Sequence, residues 1–230
     1  MKTILFTAGI CLLSITGHGQ QQTWTVKSGE SLKTALGDSI IFRYPKFEPG
    51  IVYFKNGTAS AALLNLNLTN GEMQFISPAK DTLTVDYEQT ISSVVIKADT
   101  FYFDKVFVEL VQNNGVAKLA RMENFVPIDM QKMGGYDQAT STSSINSASY
   151  FFNGNQSAML KQDKLMVLRK KNNYFIGDKF NHFLPASKKN ITKLFNKQAG
   201  AINDFLKEHK IVFVKETDLL KLVDLLGSFQ

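Results

Sequence analysis

Two Asn-Gly pairs, Asn56-Gly57 and Asn70-Gly71, constrain this chain more than any other feature of its sequence. Each separates apolar runs: IVYF precedes the first, AALLNLNL lies between them, and EMQFI follows the second. Asn and Gly accept the positive φ angles of a two-residue type I′ turn, so each pair predicts a β-hairpin. Leu64, Leu66 and Leu68 alternate with Asn65 and Asn67, and Met73 and Phe75 share a face of the next run. A period of two sends one face to a core and the other outward, which a helix cannot do.

The pattern continues. DTLTVD alternates Leu83 and Val85 with Thr82 and Thr84, and short strands are predicted at 91–97, 100–103, 106–111 and 116–121. Turn residues recur every eight to twelve positions, about the spacing of an antiparallel meander. TFYFD and KVFVEL are apolar on both sides of the alternation. Strands of that kind are covered on both faces. The predicted fold class is therefore mainly β (α+β): an antiparallel meander forming a sandwich or a curved half-barrel with something in its hollow.

GGYDQATSTSSINSASY, residues 134–150, has neither period, and Ile145 is its one aliphatic side chain beyond alanine after Tyr136 and before Tyr150. It is predicted to be a mobile Ser/Thr-rich loop over 137–149, with too little apolar area to offset its ordering entropy. KLMVLRKKNNYFIGD reads as a second hairpin with its turn at Lys170–Asn173. The period then changes. Ile191 and Leu194-Phe195 mark a short helix, and Ala201, Ile202, Phe205 and Leu206 an amphipathic one. KIVFVK reads as an extended segment. A last helix is capped by Thr217, favoured by Asp218 near its positive end, and closed by Gly227. The predicted division is an antiparallel β domain over 20–184 and a helix-strand-helix appendage over 185–230 that packs on it.

The first nineteen residues form a class of their own. Lys2, an apolar run from Ile4 to Ile15, and Gly17 and Gly19 at the small positions have the pattern of a secretory signal peptide cleaved before Gln20. Cys11, the one cysteine, follows Ile10 rather than a small residue, so a lipid anchor is not expected there. A chain without the leader has no thiol for a disulfide, nucleophile or metal, and no remaining run long enough to span a bilayer as a helix. The expected location is exported, periplasmic or secreted.

YPKFEPGIVYFKNGTASAALLNLNLTNGEMQFI with its following DTL, GGYDQATSTSS, and LFNKQAGAINDFLKEHKIVFVKETDLLKLVDLL together resemble uncharacterised secreted β-rich proteins of Bacteroidetes-type bacteria. The resemblance covers most of the chain after the leader, as a pattern of turns and apolar positions. It implies export and the domain boundaries above, and it assigns no activity and no catalytic residue.

Searching for chemistry yields little. His182 and His209 are far apart and lack an accompanying nucleophile motif, so both are expected to pack or cap. Asp86 and Glu88 read as a solvated strand end. No phosphate loop or calcium loop is present, and no cofactor is expected. DSI at 38–40 and DTL at 81–83 match a short bacterial O-glycosylation pattern.

Charge is more informative. The chain carries +6, yet residues 157–197 alone hold ten basic and two acidic side chains, a local +8. Lys170, Lys171, Lys189, Lys193 and Lys197 are the candidate binding residues, with the last three on one stripe if their helix is continuous. The expected function is a non-enzymatic envelope or secreted protein that binds a partner through loops or this basic face. The partner would be an anionic envelope component or another envelope protein, and not nucleic acid. The alternative is a periplasmic carrier of an apolar ligand in a half-barrel cavity.

Overall fold

A computed structural model describes residues 22–27, 29–133, 139–141 and 164–229. The expected leader, the expected cleavage point before Gln20 and most of the Ser/Thr-rich segment lie outside the described residues. Among the described residues twelve strands form one antiparallel sheet. They are β1 (Thr23–Val26), β2 (Glu48–Phe54), β3 (Ala59–Asn67), β4 (Glu72–Ile76), β5 (Thr82–Thr84), β6 (Ile91–Ile96), β7 (Asp99–Asp104), β8 (Val106–Asn113), β9 (Ala117–Met133), β10 (Ala139–Ser141), β11 (Lys164–Asp178) and β12 (Phe183–Pro185). The main order is β1-β11-β9-β8-β7-β6-β2-β3-β4-β5, with β10 beside β9 and β12 beside β11. Both hairpins fall where expected, but through four-residue loops, 55–58 and 68–71, with only the glycines Gly57 and Gly71 of each Asn-Gly pair at positive φ, and not through two-residue type I′ turns.

The sheet curls. Met166 and Leu168 of β11 share one buried cluster with Leu66 of β3 and Met73 of β4, although those strands lie far apart in the sheet order. Only curvature lets both ends face one core, and the path ends at β1 and β5 without closing, as in a half-barrel. Two short helices, α1 (Leu32–Leu36) and α2 (Asp38–Ile41), occupy the hollow, with Leu32, Leu36, Ile41 and the following Phe42 in that cluster. Ser31 caps α1 by accepting from the Thr34 N–H at 3.1 Å. At the other end of the concave face a second cluster joins Leu119 of β9 and Ile176 of β11 to the C-terminal helices α3 (Lys188–Leu194), α4 (Ala199–Glu208) and α5 (Glu216–Gly227).

Four expectations are corrected. There is no turn at Lys170–Asn173: β11 runs straight through, paired residue by residue with β9 from Lys164↔Lys132 to Asp178↔Ala117. The reason is the length of β9, which continues well past Arg121 and offers Lys170–Asn173 partners all along. Its Pro127, which cannot donate to a ladder, falls beside the register shift opposite Val167/Leu168. Within the Ser/Thr-rich segment, Ala139–Ser141 pairs with Gln131–Met133 as a strand. The segment around KIVFVK is irregular, with a turn closed by Lys215 N–H to Val212 O, so the appendage is helix-loop-helix. Thr217 lies inside α5, which begins after Lys215, so it is not the cap, whereas Asp218 does stand in the first turn, its carboxylate accepting from the Val212 N–H.

Candidate functional site

The outer, convex face of β7, β8, β9 and β11 carries a third, smaller apolar cluster of Val108, Ala120, Met122 and Phe183, with Tyr102, Val106 and Phe175 against it. This explains why TFYFD and KVFVEL are apolar on both sides: Phe101 and Phe107 point into the hollow, while Tyr102, Val106 and Val108 point outward. Phe183 is brought there by the chain after β11. Its N–H donates to Asp104 Oδ2 at 2.8 Å, and its ring lies 5.7 Å from that of Tyr102. Gly177 makes the approach possible, since a Cβ on it would stand 2.5 Å from Phe183 Cε1.

Beside Phe183 the outer face opens into a groove of about 540 Å³. Its apolar lining includes Met122, Val126, Phe175 and Phe183, and its polar groups include Asn124, Asn173 and Lys171. The strands dictate this grouping, because Lys171 is the register partner of Asn124 and Asn173 that of Met122. Paired residues of antiparallel strands share a face, with Cβ atoms about 5 Å apart. Asn173 Nδ2 donates to Asn124 Oδ1 at 2.8 Å. Asn124 is only 9% exposed, yet its own Nδ2 makes no hydrogen bond among the described residues. Asp104 and Lys105, at the β7–β8 turn, close another part of the groove.

The concave face carries a different chemistry. Glu109, its side chain 8% exposed, is held by Arg43 through Nε at 2.7 Å and Nη2 at 3.0 Å, and by Arg121 Nη2 at 2.7 Å. Arg121 reaches Glu216 of α5 at 3.7 Å, and the Tyr174 hydroxyl donates to the same carboxylate at 3.1 Å. The Tyr44 hydroxyl donates to Asp99 at 2.6 Å. Burial alone would raise the Glu109 carboxyl, but hydrogen bonds from both arginines hold it below its ordinary range. The Glu109 hydrogen bond raises Arg43 further, and burial together with Asp99 pushes the Tyr44 hydroxyl up. These groups neutralise one another and link the two concave clusters.

The five candidate lysines do not form one patch by strand or helix continuity. Lys170 faces the hollow, 3.6 Å from Glu123 and over the Phe125 ring at 5.5 Å. Lys171 lines the convex groove. Lys189 and Lys193 are exposed on α3, and Lys197 belongs to a separate 3-10 turn, Asn196–Gln198. His182 does meet a carboxylate, with Nδ1 3.1 Å from Asp178 Oδ2, but its side chain is 70% exposed. Asp178 Oδ1 accepts the N–H groups of Phe180 and His182, so this carboxylate clamps the loop. Asp178 is drawn below its usual range because those bonds outweigh its burial. Asp86 and Glu88 lie on a loop and a 3-10 turn rather than a strand face. Among the described residues no group of three or more His, Cys, Asp and Glu could hold a metal. No helix among them is long and apolar enough to cross a membrane.

The Asn124–Asn173 pair has no local sequence signal, because Asn172-Asn173 has turn composition and its partner lies 49 residues away. A scan against family models, a search of curated proteins and a search of solved structures each returned no match.

Proposed function

We propose that this chain is an exported binding protein without catalysis of its own, and that its ligand lies in the convex-face groove. The observation that carries the reading is the convergence of three polar side chains, Asn124, Asn173 and Lys171, on an open, otherwise largely apolar groove of about 540 Å³. Small-molecule sites have this make-up and a volume of roughly 300–1,000 Å³. Export is supported by the leader pattern around Lys2, Ile4–Ile15 and Gly17/Gly19, and by the likeness to secreted Bacteroidetes-type proteins. Lys171 is the member of the basic set that the groove recruits.

A second reading has its own observation. The hollow is filled by α1 and α2, but near β2–β5 the concave face keeps an apolar groove of about 570 Å³ lined by Val52, Phe54, Ala62, Leu64, Phe75 and Val85. That groove suits a carrier of an apolar ligand.

Titration with an environment-sensitive anionic naphthalene dye tests the two together. Val106→Glu and the exposed Val214→Glu place charge in the convex groove, and Val85→Glu places it in the concave one. Tenfold weaker dye binding in the first two, with melting temperatures near wild type, is the expected result. Loss in Val85→Glu alone transfers the site to the concave groove, and a wild type that binds no dye removes both readings.

A further inference from the structure

We infer that the groove takes an amphiphile with one carboxylate and an aliphatic chain, a fatty-acid-type ligand, with the carboxylate held between Lys171 and the free amide N–H of the Asn124–Asn173 pair. The inference rests on the groove being the binding site and names what fills it.

The pair leaves a donor whichever way its amides are turned. One hydrogen bond joins the two side chains, Asn173 Nδ2 to Asn124 Oδ1 at 2.8 Å. Reversing both amides exchanges donor and acceptor and still leaves one NH₂ group unused. As placed, that group is Asn124 Nδ2, on a side chain only 9% exposed, and it makes no hydrogen bond among the described residues. That N–H is open to the groove rather than sealed in the core, so an acceptor on a ligand can reach it. Lys171 stands opposite Asn124 in the register, is exposed, and makes no ion pair among the described residues. A cation and an amide N–H about one strand spacing apart suit the two oxygens of a carboxylate.

Charge argues for one negative charge rather than two. Asp104, its Oδ2 engaged by the Phe183 N–H, lines the same groove near the β7–β8 turn. Lys105 stands beside it in that turn, so that end carries no net charge and Lys171 is the groove's surplus cation. A dianionic phosphate would face one lysine beside Lys105 and this aspartate. Met122, Phe175 and Phe183 on one side of the Asn124–Lys171 pair, and Val126 on the other, offer apolar contact to a chain. An extended peptide would bring an amide every residue to a surface with a single unused donor, so an alkyl chain fits better.

The experiment is calorimetric titration, below micellar concentrations, with dodecanoate, dodecanol, dodecyl phosphate and a Leu-Leu-Leu tripeptide. Wild type, Lys171→Gln and Asn124→Leu are compared, and the naphthalene dye serves as an independent probe of the groove. Dodecanoate should bind at least tenfold tighter than dodecanol. That preference should fall to threefold or less in Lys171→Gln, whose melting temperature should match wild type because the side chain is exposed. Lys171 is exposed, so this variant reads the head-group site even where Asn124→Leu fails to fold. Equal binding of acid and alcohol overturns the inference, as does a preference that survives in Lys171→Gln. Tighter binding of the phosphate or the tripeptide also overturns it. A dye that ignores charges at Val106 and Val214 instead sinks the groove itself.

Discussion

Arg43 grips both carboxylate oxygens of Glu109, at 2.7 Å through Nε and 3.0 Å through Nη2, across 66 residues of sequence. Arg43 follows α2, which fills the hollow, and Glu109 lies on β8, so the fork fixes the plug to the sheet. Arg121 completes it at 2.7 Å. Breaking a fully buried pair costs about 3–5 kcal/mol because the survivor is left charged. The Arg43 side chain is 25% exposed, so water relieves part of that cost here. Glu109→Leu strands two arginines, and Arg43→Met leaves Arg121 to hold the carboxylate. Glu109→Leu should therefore be the more damaging, by about 2–3 kcal/mol in guanidinium unfolding, with Arg43→Met costing less. The reverse order would mean that the plug is not held by this carboxylate.

Acid should release the same fork. Glu109 has a folded pKa below its unfolded one, so the stability it contributes is fully present above the unfolded value, about 4.3, and is lost as pH falls through the folded value. Asp178, also depressed, adds a smaller loss of the same sign lower on the scale. Unfolding free energy measured from pH 7 to pH 3 should be nearly flat above about pH 5 and then decline. In Glu109→Gln the decline should be shallower. Parallel curves for the two proteins would show that Glu109 titrates alike in both states.

The hairpins were readable because their chemistry is local. Asn56-Gly57 and Asn70-Gly71 specify their own turns, and Leu64, Leu66 and Met73 show their face by alternation. The plug and the groove were not, because nothing local marks them. Leu32 and Leu36 form an apolar pair too short for a helical period, and the Ser31 cap on the Thr34 N–H is the one local mark of this helix. The groove joins Asn124 to Asn173 and Asp104 to Phe183 over separations of 49 and 79 residues. Lys170-Lys171-Asn172-Asn173 has turn composition, and only the length of β9 overrides it. With the turn gone, successive lysines fall on opposite faces, and one basic patch becomes two separate roles.

Gly177 should be intolerant of even one methyl group. A Cβ there meets Phe183 at 2.5 Å from Cε1 and 2.7 Å from Cδ1, and the ring is already packed on Tyr102. Gly177→Ala must push Phe183 outward and strain its N–H bond to Asp104. Overpacking of this kind costs about 1–3 kcal/mol. Dye binding in the convex groove should weaken along with stability. The double variant Gly177→Ala/Phe183→Leu should recover part of the stability, and no recovery would place the strain elsewhere.

The lysines of α3 make the sharpest test of the basic face. Ser187 caps this helix, so Lys188 and Lys189 occupy its first turn, where the dipole is positive and no acidic residue is present. Cations there are unfavourable by about 0.3–1 kcal/mol each, and Lys189 adds repulsion with Lys193 four residues on. Lys189→Glu reverses both effects, placing an anion at the helix start and an acid-base pair at the favoured spacing. The variant should be more stable than wild type by about 0.5–1 kcal/mol in chemical unfolding. If the lysines serve an anionic envelope partner, the same variant should lose binding to vesicles containing anionic lipid, and wild-type binding should fade as salt shortens the screening length to about 8–10 Å. Gain of stability with loss of binding would show that this helix is kept below its attainable stability for contact with an anionic surface. Gain of stability with binding unchanged would leave these lysines as solvated surface and the convex groove as the place where the protein meets its ligand.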